Sequence, residues 1–325
     1  MVWTRYAVAL LFATAIGCGS NTSPAELTQM RGETESSAPM NNGTDGPLLF
    51  ADATSSVSLD FTHKIPSDMP FFMPRCVGSG VAVFDFNADG KLDVYLLQNA
   101  GADSSVTNQL FLHQDDGTFR DVSAGSGLDV DGFGMGVAAG DVNNDGLVDL
   151  FVSEYGNARL FLNRSQGDQP TFVDISDEAG ILSLLWGTST CFTDYDRDGL
   201  LDIVLVNYVN YDPSRWCADG RGQQDFCGPD AFRGRTTNLF HNLGPNADGI
   251  PTFEDVSIDA GLTEHPGPGL GVYCADFNGD RWPDIFIAND GKPNHLWING
   301  QDGTFKEEAT AVSYTHLTLP TICSV

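Results

Sequence analysis

Short apolar runs alternate with polar, glycine-rich turns along this chain, and the same order of runs comes back four times. The first run of each set is VAVF (81–84), GVAAG (136–140), STCFT (189–193) or GVYCA (271–275). The second is DVYL (93–96), DLFV (149–152), DIVLV (202–206) or DIFI (284–287). These runs are short, rich in β-branched and aromatic residues, and bounded by Asp, Asn and Gly, which is the pattern of strands rather than helices. Two more runs complete each set: QLFLH with TFRDV after Asn108, RLFLN with TFVDI after Ala158, LFHN with TFEDV after Asn238, and HLWIN with TFKEE after Asn294. Asp116-Gly117 and Asp302-Gly303 lie between such runs as hairpin signals.

One set is therefore four short antiparallel strands, A to D. Four-stranded units recurring at roughly 40–55 residues mark the blades of a propeller. The expected fold is all-β: a β-propeller segment over 48–311, with blades near 78–123, 134–176, 187–257 and 270–310. The third interval is long because 207–237 is inserted between strands B and C. Residues 48–59 (LLFADATSSVSL) resemble only the strand D end of a repeat and are expected to supply the outermost strand of the closing blade. From residue 312 the text VSYTHLTLPTICSV leaves the repeat and reads as a non-native tail over 312–325. Since propellers commonly have more blades than four, the native protein is expected to be longer.

The connection from strand A to strand B carries the candidate chemistry. Oxygen-bearing side chains at positions 1, 3, 5 and 9 of a tight loop suit a hard cation such as Ca²⁺. That ion takes roughly 6–8 oxygens at about 2.3–2.6 Å, one of them commonly the backbone carbonyl at position 7. The first loop offers Asp85, Asn87, Asp89 and Asp93, with Lys91 at position 7. The second offers Asp141, Asn143, Asp145 and Asp149, with Leu147. The third offers Asp194, Asp196, Asp198 and Asp202, with Leu200. The fourth offers Asp276, Asn278, Asp280 and Asp284, with Trp282. Position 6 must turn with positive φ and is Gly90, Gly146 or Gly199, but Arg281 in the fourth loop, which leaves that loop's geometry open. An EF-hand starts alike but needs a bidentate Glu at position 12 and flanking helices. Position 12 here is Leu96, Val152, Leu205 or Ile287, each within a strand, so the expected site is a strand–loop–strand hairpin. The plainer alternative is a set of Asp/Asn/Gly turns without metal. Four copies with one acidic spacing favour a cation, because clustered carboxylates repel one another without one.

Charge agrees with that reading. Formal charge is −28 over 325 residues, and thirteen of the acids are loop aspartates. This opposes nucleic-acid binding through a basic patch. At the N-terminus, residues 7–16 form an apolar core too short to span a bilayer, so 1–18 reads as an export signal. Ala15-Ile16-Gly17-Cys18 is lipobox-like, with Cys18 as the acylated residue; an ordinary cleaved signal is the alternative. No acidic retention signal follows at Gly19-Ser20, which points to an outer-membrane lipoprotein or the cell surface or periplasm, with secretion as the alternative. Membrane contact is expected only through that lipid. Residues 19–47 have the composition of a disordered tether.

In a propeller the A–B and C–D loops share one face, and the B–C and D–A loops the other. The insertion therefore emerges opposite the Asp loops. It holds Tyr208, Tyr211, Arg215, Trp216, Arg221, Phe226, Phe232, Arg233 and Arg235. Exposed aromatics with Arg are typical of contact hot spots. Tyr211, Arg215, Trp216, Arg221, Phe226 and Arg233 are the candidate contacts to a protein or an acidic glycan; a self-packed loop covering the blade edge is the alternative. Cys217 and Cys227 inside it are expected to pair. Cys191 and Cys274 stand on successive A strands with opposite parity and could approach; Cys76 has no evident partner. No catalytic set is visible. The six His residues are scattered, and there is no G-x-S-x-G, H-E-x-x-H or P-loop, so the expectation is not an enzyme.

Gly132-Phe133-Gly134 through Gly140-Asp141 resembles the FG-GAP repeat of integrin α-chain propellers. The fuller pattern, with LFxN, G-x-F-x-D-V-S, A-G-L and D-x-[ND]-x-D-G, is similar to bacterial VCBS/FG-GAP proteins related to cartilage acidic protein. An ASPIC/UnbV-type domain, which many members carry, is not in this sequence. The resemblance covers about residues 48–311 and implies a secreted, calcium-stabilised propeller used for binding or adhesion. The alternative it leaves open is the non-catalytic portion of a carbohydrate-active or phospholipase-type enzyme.

Overall fold

The structure, a computed structural model, describes residues 51–66, 69–102 and 104–309. The export signal, tether and tail expected at 1–18, 19–47 and 312–325 lie outside the described residues, as does Cys18. Within them the repeated runs form antiparallel sheets. Blade 1 takes β1 (Val81–Phe84) and β2 (Asp93–Leu96), then, after β3 (Asn99–Gly101), β4 (Gln109–His113) and β5 (Phe119–Asp121). Blade 2 is β6 (Gly132–Gly140), β7 (Asp149–Glu154), β8 (Ala158–Asn163) and β9 (Phe172–Asp174). Blade 3 starts with β10 (Gly187–Thr193) and β11 (Asp202–Asn207). The insertion contributes a small hairpin, β12 (Cys217–Ala218) with β13 (Gln224–Asp225), and the blade resumes with β14 (Asn238–Pro245) and β15 (Pro251–Asp255). Blade 4 is β16 (Gly269–Ala275), β17 (Asp284–Asn289), β18 (His295–Asn299) and β19 (Phe305–Glu307). The order within each sheet is A-B-C-D, as read from the sequence. One strand was not legible there: β3 leaves blade 1 and pairs with β6 (Asn99 with Phe133), giving blade 2 a fifth strand.

Strand B explains why the second apolar run lacks polar alternation. β7 is buried along its whole length, with Leu150 and Val152 in the core shared with blade 1 and Phe151 in the core shared with blade 3. β11 repeats this, Ile203 and Leu205 facing blade 2 and Val204 and Val206 facing blade 4. Each such side chain contributes about 1.5–3 kcal/mol relative to exposure, so the cores between blades are what hold the array together.

The A strands of neighbouring blades touch, and small residues five places before each Asp loop allow it. A Cβ on Gly80 would lie 3.2 Å from Gly136 Cα, and one on Gly136 would lie 3.0 Å from Ser189 Cα. At the third junction Ser189 Oγ accepts from Val272 N at 3.3 Å, and buried Thr188 donates Oγ1–H to Gly269 O at 2.7 Å. Farther out, an Asn ending strand C clips each blade to the one before. Asn163 Nδ2 donates to Phe86 O and Val148 O at 2.9 and 3.0 Å. Asn242 does so to Val142 O and Leu201 O at 2.9 and 3.0 Å, and Asn299 to Tyr195 O and Pro283 O at 2.8 and 3.0 Å. In every case the first acceptor is the position-2 carbonyl of the preceding blade's Asp loop. Blade 1 has His113 in this place.

The linkers between blades also bond across. Phe172, Phe253 and Phe305 in strands D donate N–H to Ser126 O, Ala179 O and Ala260 O of the preceding linkers. Phe119 N donates to Val57 O at 2.7 Å in the same manner. This corrects the expectation for 48–59: the described part, 51–59, is not a strand but a linker turn. Its bonds from Val57 N to Ala53 O and from Leu59 N to Thr54 O match those of Ala179 and Ile181. Turn and strand D share the Asp, Ser and small residues of that text, and it is the turn that occupies them.

Asn242→Ala would leave the buried Val142 carbonyl and the partly buried Leu201 carbonyl without their donor. It should cost about 2–3 kcal/mol, read as a lower midpoint in urea unfolding, with Asn163→Ala and Asn299→Ala each giving a similar loss.

Candidate cation loops and the aromatic cap

The four A–B loops share one internal scaffold. Position 9 is sealed: Asp93, Asp149, Asp202 and Asp284 are 0% exposed. Their Oδ2 atoms accept the position-2 N–H of Phe86, Val142, Tyr195 and Phe277 at 2.9–3.1 Å. Their Oδ1 atoms accept from the last residue of the C-strand run, His113, Asn163, Asn242 or Asn299, at 2.7–2.9 Å. One carboxylate thus ties the loop to two strands.

The remaining acidic positions form a ladder of side chains bonded to backbone. Asp85 accepts from Asp89 N and Gly90 N at 3.1 and 2.7 Å, and Asp141 from Asp145 N and Gly146 N at 3.1 and 2.8 Å. Position 3 accepts from position 5 in all loops, through Asn87, Asn143, Asp196 and Asn278 at 2.9–3.2 Å. Position 5 accepts from position 7, Asp89 from Lys91, Asp145 from Leu147, Asp198 from Leu200 and Asp280 from Trp282, at 2.8–2.9 Å. The turn needs left-handed backbone at positions 4 and 6. Positions 4 are Ala88, Asn144, Arg197 and Gly279, with φ of 57° to 81°. At position 6 Gly90, Gly146 and Gly199 have φ of 86°, 89° and 91°, and Arg281 takes 75°. The fourth loop therefore keeps the geometry, with its Gly moved to position 4. Its scaffold is intact too: Asp276 accepts from Asp280 N and Arg281 N at 3.1 and 2.8 Å.

This much carboxylate in one place is costly without a counter-charge. Burial pushes the Asp149 and Asp202 carboxyls up to about 7 from 3.8, and neighbouring loop aspartates push the same way, against the two N–H bonds each accepts. Asp93 and Asp284 are raised for the same reasons. Side-chain donors partly answer the charge: Lys91 Nζ meets Asp89 at 3.1 Å and Arg164 Nη1 meets Asp145 at 3.1 Å. Loop 3 is the most acidic and has a nitrogen beside it. Ligand atoms of Asp194, Asp196 and Asp202 lie within 4.8 Å of one another, as do those of Asp196, Asp198 and His241. Buried Asp194 Oδ1 has no hydrogen-bond partner. The donor set, all hard oxygens but for that imidazole, fits a divalent cation of calcium's kind.

The insertion is packed at its root and exposed at its tip. Tyr208, Tyr211 and Phe232 join Trp186, Phe133, Tyr155 and Met73 in one cluster. Phe72, from the segment ahead of blade 1, lies 5.2 Å from Phe133, 5.4 Å from Tyr155 and 5.7 Å from Tyr211 between ring centroids. Tyr211 Oη accepts from Met73 N at 3.2 Å, and Tyr208 donates to Asp290 at 2.5 Å. Tyr211 is thus taken up inside the cap rather than offered at its surface, and the Arg215 guanidinium stands 6.0 Å from the Phe232 ring. Trp216 is 60% and Phe226 41% exposed, and Arg215, Arg221 and Arg233 are exposed as well. The expected Cys217–Cys227 disulfide is present, joining the start of β12 to the segment just after β13. Tyr211, expected among the exposed contacts, is instead packed against Phe72, and nothing in the sequence near Phe72 marks it as the strip on which the insertion docks.

No helix among the described residues is long and apolar enough to cross a membrane. A family model for the FG-GAP-like repeat matches residues 85–152, 141–205 and 276–322. Cartilage acidic protein 1 of Xenopus tropicalis is 27% identical over 214 residues, 65% of this chain and 29% of that protein. The Homo sapiens protein is 28% identical over 215 residues, 65% of this chain and 28% of its own length. The chain therefore spans under a third of the curated relatives it matches. Among solved structures, an Agrocybe aegerita lectin with specific recognition of non-reducing terminal N-acetylglucosamine aligns over 69% of this chain and 49% of its own at 18% identity and a TM-score of 0.36. The matched segments include all four Asp loops and the strand B that follows each, and cover more than half of the residues, and the chain belongs to the FG-GAP-like repeat family.

Proposed function

We propose that this chain is a calcium-stabilised, non-catalytic scaffold for extracellular binding or adhesion. The observation that carries the proposal is the fourfold loop scaffold, each copy hung on a buried carboxylate that only a cation would keep comfortably ionised. Asp85, Asn87, Asp89 and Asp93 would hold Ca²⁺ in loop 1, and the matching residues in the others, with the carbonyls of Lys91, Leu147, Leu200 and Trp282. The bound ion supplies positive charge where the carboxylates converge. The chain's own residues do the rest. Position 9 fixes strand C, position 2 receives the next blade's Asn, and positions 3 and 5 keep the turn closed. Export with a lipid anchor on Cys18 belongs to the same proposal.

Recognition of a protein or acidic glycan is assigned to the tip of the insertion. Arg215, Trp216, Arg221, Phe226 and Arg233 are the groups there with surface left to offer, on a base closed by Cys217–Cys227. Half-buried Tyr211 supports this surface from beneath.

Calorimetric unfolding in Ca²⁺ and in EDTA tests the metal. Each site saturated at 100 times its Kd adds about 2.7 kcal/mol, so the midpoint should drop clearly in EDTA; an unchanged midpoint rejects the cation. The pH dependence gives a second reading of the same experiment. Without metal, Asp149 and Asp202 hold protons up to about 7 in the fold but only to about 3.8 when unfolded. The native state then binds more protons between these values, and stability falls as pH rises through that window, by on the order of a few kcal/mol. Saturating Ca²⁺ should flatten or reverse that slope. Arg281→Gly relieves a left-handed non-glycine residue and should raise stability by about 1 kcal/mol, measured as a higher urea midpoint. On a glycan array, Trp216→Ala with Arg221→Ala should abolish whatever binding the full chain shows; retained binding would remove the insertion from the recognition surface.

A further inference from the structure

We propose that Cys191 and Cys274 are the site of a second disulfide, a covalent staple between the A strands of blades 3 and 4. Cys191 lies in β10 and Cys274 in β16. These two A strands lie side by side, and the Cys191 thiol donates to Phe192 O at 3.2 Å. The neighbouring bonds fix the register that brings them together. Ser189 Oγ accepts from Val272 N at 3.3 Å, and the two cysteines stand two residues further along their respective strands. Thr188 to Gly269, at 2.7 Å and buried, holds the pair of strands from the other side. Half-buried Cys274 packs against the core shared by blades 3 and 4, on the junction side of its strand. The equivalent places in blades 1 and 2, three and two residues ahead of the Asp loop, hold Ala82 and Val83, and Ala138 and Ala139. Sulfur therefore appears on both sides of one junction and is absent from the matching places in the first two blades. The other cysteines among the described residues are accounted for differently: Cys217 and Cys227 are already joined, and Cys76 is exposed.

The step is thiol–disulfide exchange, and the oxidant is a disulfide such as glutathione disulfide or that of an oxidising dithiol protein. One protein sulfur, as thiolate, attacks a sulfur of the oxidant, whose S–S bond breaks and releases one thiolate. The second protein sulfur then attacks the mixed disulfide, forms the Cys191–Cys274 bond and releases the other half. Two electrons pass from the protein to the oxidant, and the two thiol protons go to the departing thiolates. An exported chain that already carries one disulfide meets the conditions in which such a bond persists. The staple is independent of any cation.

The full chain is incubated with glutathione disulfide, alkylated with iodoacetamide and digested with trypsin without reduction. Trypsin separates these cysteines, with Cys191 on 165–197, Cys274 on 236–281, Cys217 on 216–221 and Cys227 on 222–233. The expected product is a linked 165–197/236–281 peptide that grows with oxidant and vanishes on reduction. Cys274→Ser should remove it and leave the 216–221/222–233 link in place. The oxidised protein should also melt on the order of 10 °C higher than the Cys274→Ser variant under the same oxidant. Alkylation of both cysteines, separate glutathione adducts on each, or a link from either one to Cys76 would overturn the proposal.

Discussion

Each blade closes around a carboxylate that has no access to water. Asp93, Asp149, Asp202 and Asp284 accept one N–H from the loop and one from strand C, so a single side chain decides how three segments meet. Sealing an ionised group costs several kcal/mol unless donors surround it. The two N–H groups offset part of that, and the nearby acids of the same loop add to it. The turn at positions 4 and 6, the ladder of side chains accepting from backbone, and the register of strand C all follow from keeping those donors in place.

Next to this local constraint stands a nearest-neighbour one. The cores between blades supply most of the favourable free energy, but they are apolar and would tolerate some sliding. The close approach of Gly80, Gly136 and Ser189 and the reach of Asn163, Asn242 and Asn299 remove that freedom. The Asn also joins the two constraints, because its acceptor is a carbonyl inside the preceding Asp loop. Order in one loop is thereby felt by the next blade, as in other repeat arrays where stability is a sum over units and junctions.

Much of this was legible in the text because it is written four times. The strand order, the place of the Asp loops and the face of the insertion all follow from period and spacing, and the Cys217–Cys227 pair from separation and context. What was not legible falls into two kinds. Some features occur once: β3 pairing into blade 2, and Phe72 docking on Tyr155 and Tyr211, have no second copy to give them away. Others depend on backbone that residue type conceals. Arg281 looked like a defect in a glycine position, yet it adopts φ of 75° because Gly279 and Asp276 shape the turn around it. Residues 51–59 looked like a strand end and form a linker turn, since the same small polar residues serve both. The recurring Asn of LFxN was visible, but that it reaches backward across a junction needed coordinates. In blade 4 the Asp and Ser of D-V-S are replaced by Glu307 and Ala309, and the longer Glu307 accepts from both Leu296 N and Ala309 N.

The backward reach of the Asn gives the array a polarity. Every junction is heterologous: the surface a blade offers to its successor differs from the one it offers to its predecessor, and the same operation is applied each time. Such an interface specifies how to add one more unit but contains no count, so the number of blades is set by the rotation per step and not by any residue at a junction. It also means that the two terminal surfaces of the described blades are unlike and complementary. Val81 and Val83 remain bare on one, Leu270 and Tyr273 on the other. Whatever covers them, whether further units of the same kind or a second molecule, must arrive in one orientation only.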